Sequence, residues 1–128
     1  TGVLLALIRL ACTHDGQTKA SPAEQRVLQA EQYVREHFPT IASMREVADH
    51  VGISPDFLRH TFKKLRGKSL VRYLNEVRID RAKTLLGHSK LSLKQLAPLC
   101  GFNDEYYFAT VFRNLTGTVP GLYRKNHK

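Results

Sequence analysis

The chain has 128 residues, enough for one domain with its own core, and its 42% hydrophobic and 24% charged residues exclude wholesale disorder, a collagen-like repeat and a disulfide-stapled miniprotein. Twenty Lys and Arg against eleven Asp and Glu leave a net charge of +9, which suits a polyanionic partner, either nucleic acid or an anionic membrane surface. Cys12 and Cys100 are the only cysteines and stand in no CxxC pair, so they make neither a zinc site nor a disulfide framework, and a reducing cytosol is expected.

In chain order, Val3 to Ile8, continued by Leu10 and Ala11, form an apolar run far short of the ~20 residues that cross a bilayer, with no basic stretch before it as in a signal peptide. It is apolar round most of a helix and is expected to pack on something. The polar stretch 13–21 then reads as a linker. Ser21-Pro22 with Glu24 marks an N-cap followed by proline at the first helical position, opening a helix to about Phe38. Ser43 opens a short second helix ending at Val51-Gly52, and Ser54-Pro55 a third that runs to about Arg66 and stops at Gly67. Ser69 caps a long fourth helix. Its apolar positions Leu70, Tyr73, Leu74, Val77, Ala82, Leu85 and Leu86 read as one buried stripe, with Gly87 closing the helix. Ser92 opens a fifth helix to Cys100-Gly101, Asn103 caps a sixth to about Thr116, and Pro120 starts a last short one. Pro98 removes a backbone donor and crowds the Lys94 carbonyl, so the fifth helix is expected to be kinked or short.

This punctuation repeats. Ser43, Ala48 and Gly52 meet Ser92, Ala97 and Gly101 at an offset of 49, and Phe62, Leu65, Gly67 and Tyr73 meet Phe112, Leu115, Gly117 and Tyr123 at 50. Two copies joined by a long helix cannot build a solenoid, so two tandem modules are expected. Each copy is a short helix, a tight turn through Gly52-Ile53 or Gly101-Phe102, and a longer capped helix, which is the punctuation of a helix-turn-helix. In the first long helix Phe57, Leu58, Phe62 and Leu65 are assigned inward and Asp56, Arg59, His60 and Lys63 outward. In the second, Phe108, Val111, Phe112 and Leu115 are assigned inward and Glu105, Tyr106, Ala109, Thr110 and Arg113 outward. Such an outward edge can enter a major groove. The charge is placed to match: residues 1–42 sum to zero, and between Phe57 and Asn75 there is no acidic residue but six cations, Arg59, Lys63, Lys64, Arg66, Lys68 and Arg72.

Signals for catalysis are decoys. Gly67-Lys68-Ser69 echoes the end of a phosphate-binding loop, but the glycine that loop requires five residues earlier is Phe62, and the triplet reads as a helix boundary. Asn114-Leu115-Thr116 falls inside a predicted helix. The six histidines show no metal-ligand spacing and the cysteines no nearby base, so no enzyme, cofactor or metal is expected.

The chain resembles the DNA-binding domain of the AraC/XylS family of bacterial transcription regulators. The resemblance rests on Val47-Ala48, Gly52-Ile53-Ser54, Phe62-Lys63-Lys64, the run Arg78 to Leu86, Gly101-Phe102, Tyr107-Phe108, Val111-Phe112-Arg113 and Pro120 to Arg124, together spanning about Ala23 to Lys125. It implies an all-α fold of seven helices. Two homeodomain-like helix-turn-helix modules, about 22–68 and 92–128, are joined by a linker helix at 70–86, and recognition helices at about 55–66 and 104–116 lie in successive major-groove segments. It further implies that residues 1–21 are the tail and linker of a preceding sensor or dimerisation domain.

The family's base-reading positions fall on Asp56, Arg59, His60 and Lys63 and, in the second module, on Glu105, Tyr106 and Thr110. Arg59 is the strongest, because a guanidinium can pair bidentately with guanine. Thr110 stands where family members often carry arginine, and Glu105 either accepts from cytosine or repels phosphate, so asymmetric reading is expected. Phosphate contacts are expected from the helix N-termini at Ser43 and Ser92 and from Lys63, Lys64, Arg66, Lys68, Arg72 and Arg113. Arg78 and Arg81 read either as DNA contacts or as structural groups bridging to Asp80 or Glu76, and tyrosines at helical spacing, Tyr106 excepted, read as core. The implied partners are double-stranded operator or promoter DNA, RNA polymerase and a second copy through the preceding domain, in the cytoplasm on the nucleoid and without a membrane. The rival readings are a nonspecific basic DNA binder and a helical protein-interaction bundle.

Overall fold

The computed structural model describes residues 20–127, and the expectations placed on 1–19 lie outside the described residues. Among those described there are seven helices and no strand: α1 Pro22–His37, α2 Met44–Val51, α3 Pro55–Arg66, α4 Leu70–His88, α5 Leu93–Leu99, α6 Glu105–Thr116 and α7 Pro120–Asn126. None of them is long and apolar enough to cross a membrane.

The helices begin where short polar side chains can take up the orphan amides of a first turn. Ser21, Ser54, Ser69 and Ser92 each accept from the N–H three residues on, at 3.0 to 3.1 Å. Gln95 returns the bond to the Ser92 N–H and completes a capping box. Two boundaries differ from the sequence reading. Asp104, not Asn103, caps α6 by accepting from the Tyr106 N–H at 3.0 Å. The helix α4 runs past Gly87 to His88 and ends where Ser89 turns extended and bonds the Leu85 carbonyl. Gly87 instead lies under the α7 end, 3.6 Å from the His127 carbonyl when given a Cβ. With Pro98 in its last turn, α5 is seven residues long, against eight in its counterpart α2.

Two cores form, one per module. Val27, Ala30 and Val34 of α1 pack with Val47, Ala48 and Val51 of α2, Leu58 and Phe62 of α3, and Leu70 and Leu74 of α4. Ile79, Ala82 and Leu86 of α4 pack with Leu96, Ala97, Cys100, Phe102, Phe108, Val111 and Phe112. The single stripe expected along α4 is therefore two. From Leu74 to Ile79 the helix turns through about 500°, a net rotation of about 140°, so its halves serve different cores from different faces. The Cys100 thiol is buried in the second core, and burial pushes it up to about 11, which leaves it an inert hydrophobe.

The α2 N-terminus is capped differently from the rest. Ser43 makes no side-chain cap bond, while Glu46 accepts from the Ala42 N–H at 3.1 Å and from the Tyr33 hydroxyl at 2.7 Å. The Tyr33 hydroxyl, then the Ala42 amide, hold the Glu46 carboxyl below its ordinary value of 4.5. A carboxylate whose folded pKa is depressed contributes stability above its unfolded value and loses it as the pH falls through the folded one. Glu46→Gln is thus expected to be less stable than the wild type near neutrality and to shed less stability below about pH 4.5. Denaturant titrations across that range check this, and parallel stability curves for the two proteins would refute it.

Candidate nucleic-acid interface

In each module the turn between the short and the long helix is built on the same three residues. The Gly52 and Ile53 N–H groups both donate to the Ala48 carbonyl, at 2.8 and 3.1 Å, with Gly52 at φ +87°. Phe102 donates to Ala97 at 2.9 Å across Gly101 at φ +101°. Both alanines are buried, so the following helix crosses close to the backbone, and Phe102 fills the angle while Ile53 does so half-buried. The long helices are thereby held with one face on the core and the other in solvent.

On α3 the buried edge is Leu58 and Phe62 alone. Phe57, assigned inward from the sequence, is 51% exposed and Leu65 is exposed as well. An apolar edge at i and i+4 is sufficient to seat this helix on α1 and α2, and Phe57 lies about 100° round from Leu58. Asp56, Arg59, His60 and Lys63 share the solvent face. Arg59 Nη2 donates to Asp56 Oδ1 at 3.0 Å, an exposed pair worth ~0 to 1 kcal/mol that still biases the direction of the guanidinium. His60 Nδ1 lies 2.9 Å from the Asp56 carbonyl, so this nitrogen donates and Nε2 of the neutral ring is left as the outward acceptor.

On α6, Phe108, Val111 and Phe112 are buried and Leu115 is packed at the rim. Tyr106 is 76% exposed, as its outward position predicts, whereas Tyr107, read as core, is 51% exposed. Phe102 already occupies the space beneath it, and the Tyr107 ring only leans on it at 6.0 Å between centroids. Thr110 Oγ1 donates to the Tyr106 carbonyl at 3.1 Å, which spends its proton on the helix and leaves lone pairs and a methyl outward. Glu105 is half-buried in the first turn, and Arg113 is exposed in the last.

The six cations of the acid-free run are not equivalent. Arg66 is half-buried and gripped by Glu31 at 2.8 Å and Glu24 at 3.0 Å, and these carboxylates, Glu31 first, raise its pKa above the ordinary value. Lys68 and Arg72 share Glu76; partial burial opposes its ionisation, but the two cations outweigh burial and hold it below the usual value. Among the described residues Lys63, Lys64 and Arg113 have no carboxylate partner. At the two helix N-termini, the Ser43 hydroxyl is free of capping and that of Ser92 is engaged by Gln95.

Arg78 is structural, but not through Glu76 or Asp80. It is 8% exposed and donates to two backbone carbonyls, Phe38 from Nε and Ile41 from Nη2, both at 2.9 Å. Arg81 is exposed, and Asp80 lies 4.0 Å from Lys83.

A family model described as "Helix-turn-helix domain" matches residues 47–126. The uncharacterized HTH-type transcriptional regulator YijO of Escherichia coli is 37% identical over 95 residues, 74% of this chain and 34% of that protein. The arabinose operon regulatory protein of the same organism is 34% identical over 104 residues, 80% of this chain and 36% of its own. The chain thus spans about a third of the length of these relatives. Among solved structures, the C-terminal domain of AraT, a response regulator from Geobacillus stearothermophilus, superposes with a TM-score of 0.76 at 29% identity, covering 85% of this chain and 88% of that one.

Proposed function

Since the chain belongs to the AraC/XylS family of helix-turn-helix DNA-binding domains, we propose that it binds duplex DNA sequence-specifically, with α3 and α6 in successive major-groove segments on one side of the helix. The observation that carries this reading is the repeated geometry of the two turns, which leaves a polar solvent edge on the second helix of each module. Half-sites one turn apart lie ~34 to 36 Å, or about 10 bp, from one another, so the operator consists of two short blocks at that spacing.

The base readers in this proposal are Asp56, Arg59, His60 and Lys63 in the first module and Glu105, Tyr106 and Thr110 in the second. Arg59 takes guanine O6 and N7, with Asp56 directing the guanidinium. His60 Nε2 accepts from an adenine or cytosine amino group, and the Thr110 methyl meets a thymine methyl. The first module carries more of the specificity, because Glu105 repels phosphate close to the second module's outward edge. Ser43, Lys64, Ser92 and Arg113 contact phosphate and position the protein. Arg66, Lys68 and Arg72 do so only as far as Glu24, Glu31 and Glu76 release them. Residues 1–21 are the end of a preceding domain, through which two copies associate, and the whole regulator works on the nucleoid in the cytoplasm together with RNA polymerase.

Selection of bound duplexes from a random pool of about 30 bp, at near-physiological salt, tests the reading. Two enriched blocks one turn apart are expected. One block alone would reduce the second module to positioning, and binding without enrichment would leave a nonspecific basic domain. On the selected site Arg59→Ala is expected to cost about 1 to 3 kcal/mol and relax preference at one base pair. Lys64→Ala is expected to weaken all sequences alike and lower the salt slope by about one. Equal losses on matched and mismatched sites for both variants would refute the assignment of roles.

A further inference from the structure

Arg78 is the one buried charged side chain among the described residues, and the pairing of its charge is unusual. Burying a guanidinium is costly unless its donors are satisfied, and among the described residues no carboxylate pairs with this one. Its satisfaction comes from the carbonyls of Phe38 and Ile41, both in the connection between α1 and α2, that is, in the first module. The other side of the same guanidinium belongs to the second module: it lies over the Phe102 ring, 5.6 Å from the centroid. A Cβ added to Gly101 would stand 2.6 Å from Arg78 Nε and 2.8 Å from the Phe38 carbonyl oxygen. The loop of one module, the middle of the linker helix and the turn of the other therefore meet around a single planar group.

The two hydrophobic cores are separate clusters, so the angle between the modules is not set by a shared core. Two things set it: the rigidity of α4 and this junction. A guanidinium suits the place because its fixed fork of donors reaches two carbonyls in different directions while its face packs on an aromatic ring, which an ammonium cannot do. The absence of a side chain at Gly101 lets the second module's turn close against it. Gly52, its counterpart in the repeat, has nothing within 4 Å of an added Cβ, so closeness at Gly101 is not a requirement of the turn itself.

We propose that Arg78, with Gly101 packed against it, fixes the relative orientation of the two modules and thereby the spacing between DNA blocks that the protein accepts. Arg78 is a positioning residue here, touching no base. The inference rests on the tandem reading proposed above. When both modules engage one duplex, the second contact is intramolecular and its gain depends on geometry; a loose junction spreads that gain over several spacings.

The test uses the selected duplex, variants of it with one or two base pairs added to or removed from the spacer, and duplexes carrying one block, each titrated against the whole chain. Wild type is expected to prefer one spacing by roughly 10²-fold, and Arg78→Met to flatten this to about threefold while binding the one-block duplexes as wild type does. Arg78→Lys, which keeps the charge without the fork, is expected to fall between them. An unchanged spacing profile in Arg78→Met overturns the inference. A flat profile in wild type overturns the tandem reading and the junction's role with it. Circular dichroism accompanies each titration: if neither variant keeps wild-type helicity, the junction holds the fold rather than the spacing, and the inference fails on that ground.

Discussion

Gly101→Ala is expected to lower the unfolding free energy by about 2 to 5 kcal/mol, against about 1 to 2 kcal/mol for Gly52→Ala. Both glycines sit in the left-handed region, at φ +101° and +87°, so any Cβ costs the strain of that conformation at either site. Only at Gly101 does the new methyl also collide, with Arg78 Nε and with a backbone oxygen of Phe38. The backbone oxygen is held in the connection behind α1, and Arg78 is held by its own two hydrogen bonds, so relief requires breaking one of them or opening the junction. Each kcal/mol lowers the melting temperature by ~4 to 8 °C in a domain of this size, so the two variants separate well in a thermal scan. Equal shifts for both would mean that the junction yields at little cost, and would argue against Arg78 as a rigid link.

These two turns mark where the sequence was legible and where it was not. The position of each turn follows from the glycine and the alanine four residues before it, and the starts of α1, α3, α4 and α5 follow from serines whose bonds close within three residues. Such interactions are written in neighbouring letters. The difference between Gly52 and Gly101 is not, because it depends on a side chain 23 residues away in α4 and a carbonyl 63 residues away behind α1. The partners of Arg78 were equally hidden: they are backbone oxygens, which every residue carries and no letter marks. Arg66 reads as a free cation in an acid-free run, yet its carboxylates come from 35 and 42 residues upstream, on α1. Glu76 was within reach, four residues beyond Arg72 on the same helix, a spacing at which side chains meet. On α3, helical periodicity placed Leu58 and Phe62 in the core but overestimated the width of the buried edge, so Phe57 and Leu65 were drawn in with them. The polar solvent edge of α3 is legible in the sequence, since Asp56, Arg59, His60 and Lys63 are all exposed.

The pairing of the cations determines the largest expected effect in solution. Each phosphate neutralised on duplex DNA releases counterions, so the logarithm of affinity falls with that of salt at a slope of about −0.9 per contact. With ~6 contacts the affinity falls by about 10³ between 50 and 200 mM salt, and with ~8 by about 10⁴. On the reading proposed above, Lys64 and Arg113, without carboxylate partners among the described residues, contribute fully, as do the amides of the α2 N-terminus, which the Ser43 side chain does not cap. Lys68 and Arg72 do not, because Glu76 must be displaced before either can serve a phosphate. Glu76→Gln removes that competitor at the expense of two half-exposed ion pairs, each worth ~0 to 1 kcal/mol. It is expected to tighten binding at every sequence and to steepen the salt slope by about one to two, while leaving the ratio of matched to mismatched affinity unchanged. Titrations at several salt concentrations read all three quantities. A steeper slope with constant specificity would place Lys68 and Arg72 on the DNA backbone. An unchanged slope would place both cations away from the duplex, holding the start of the linker helix through Glu76 and nothing more.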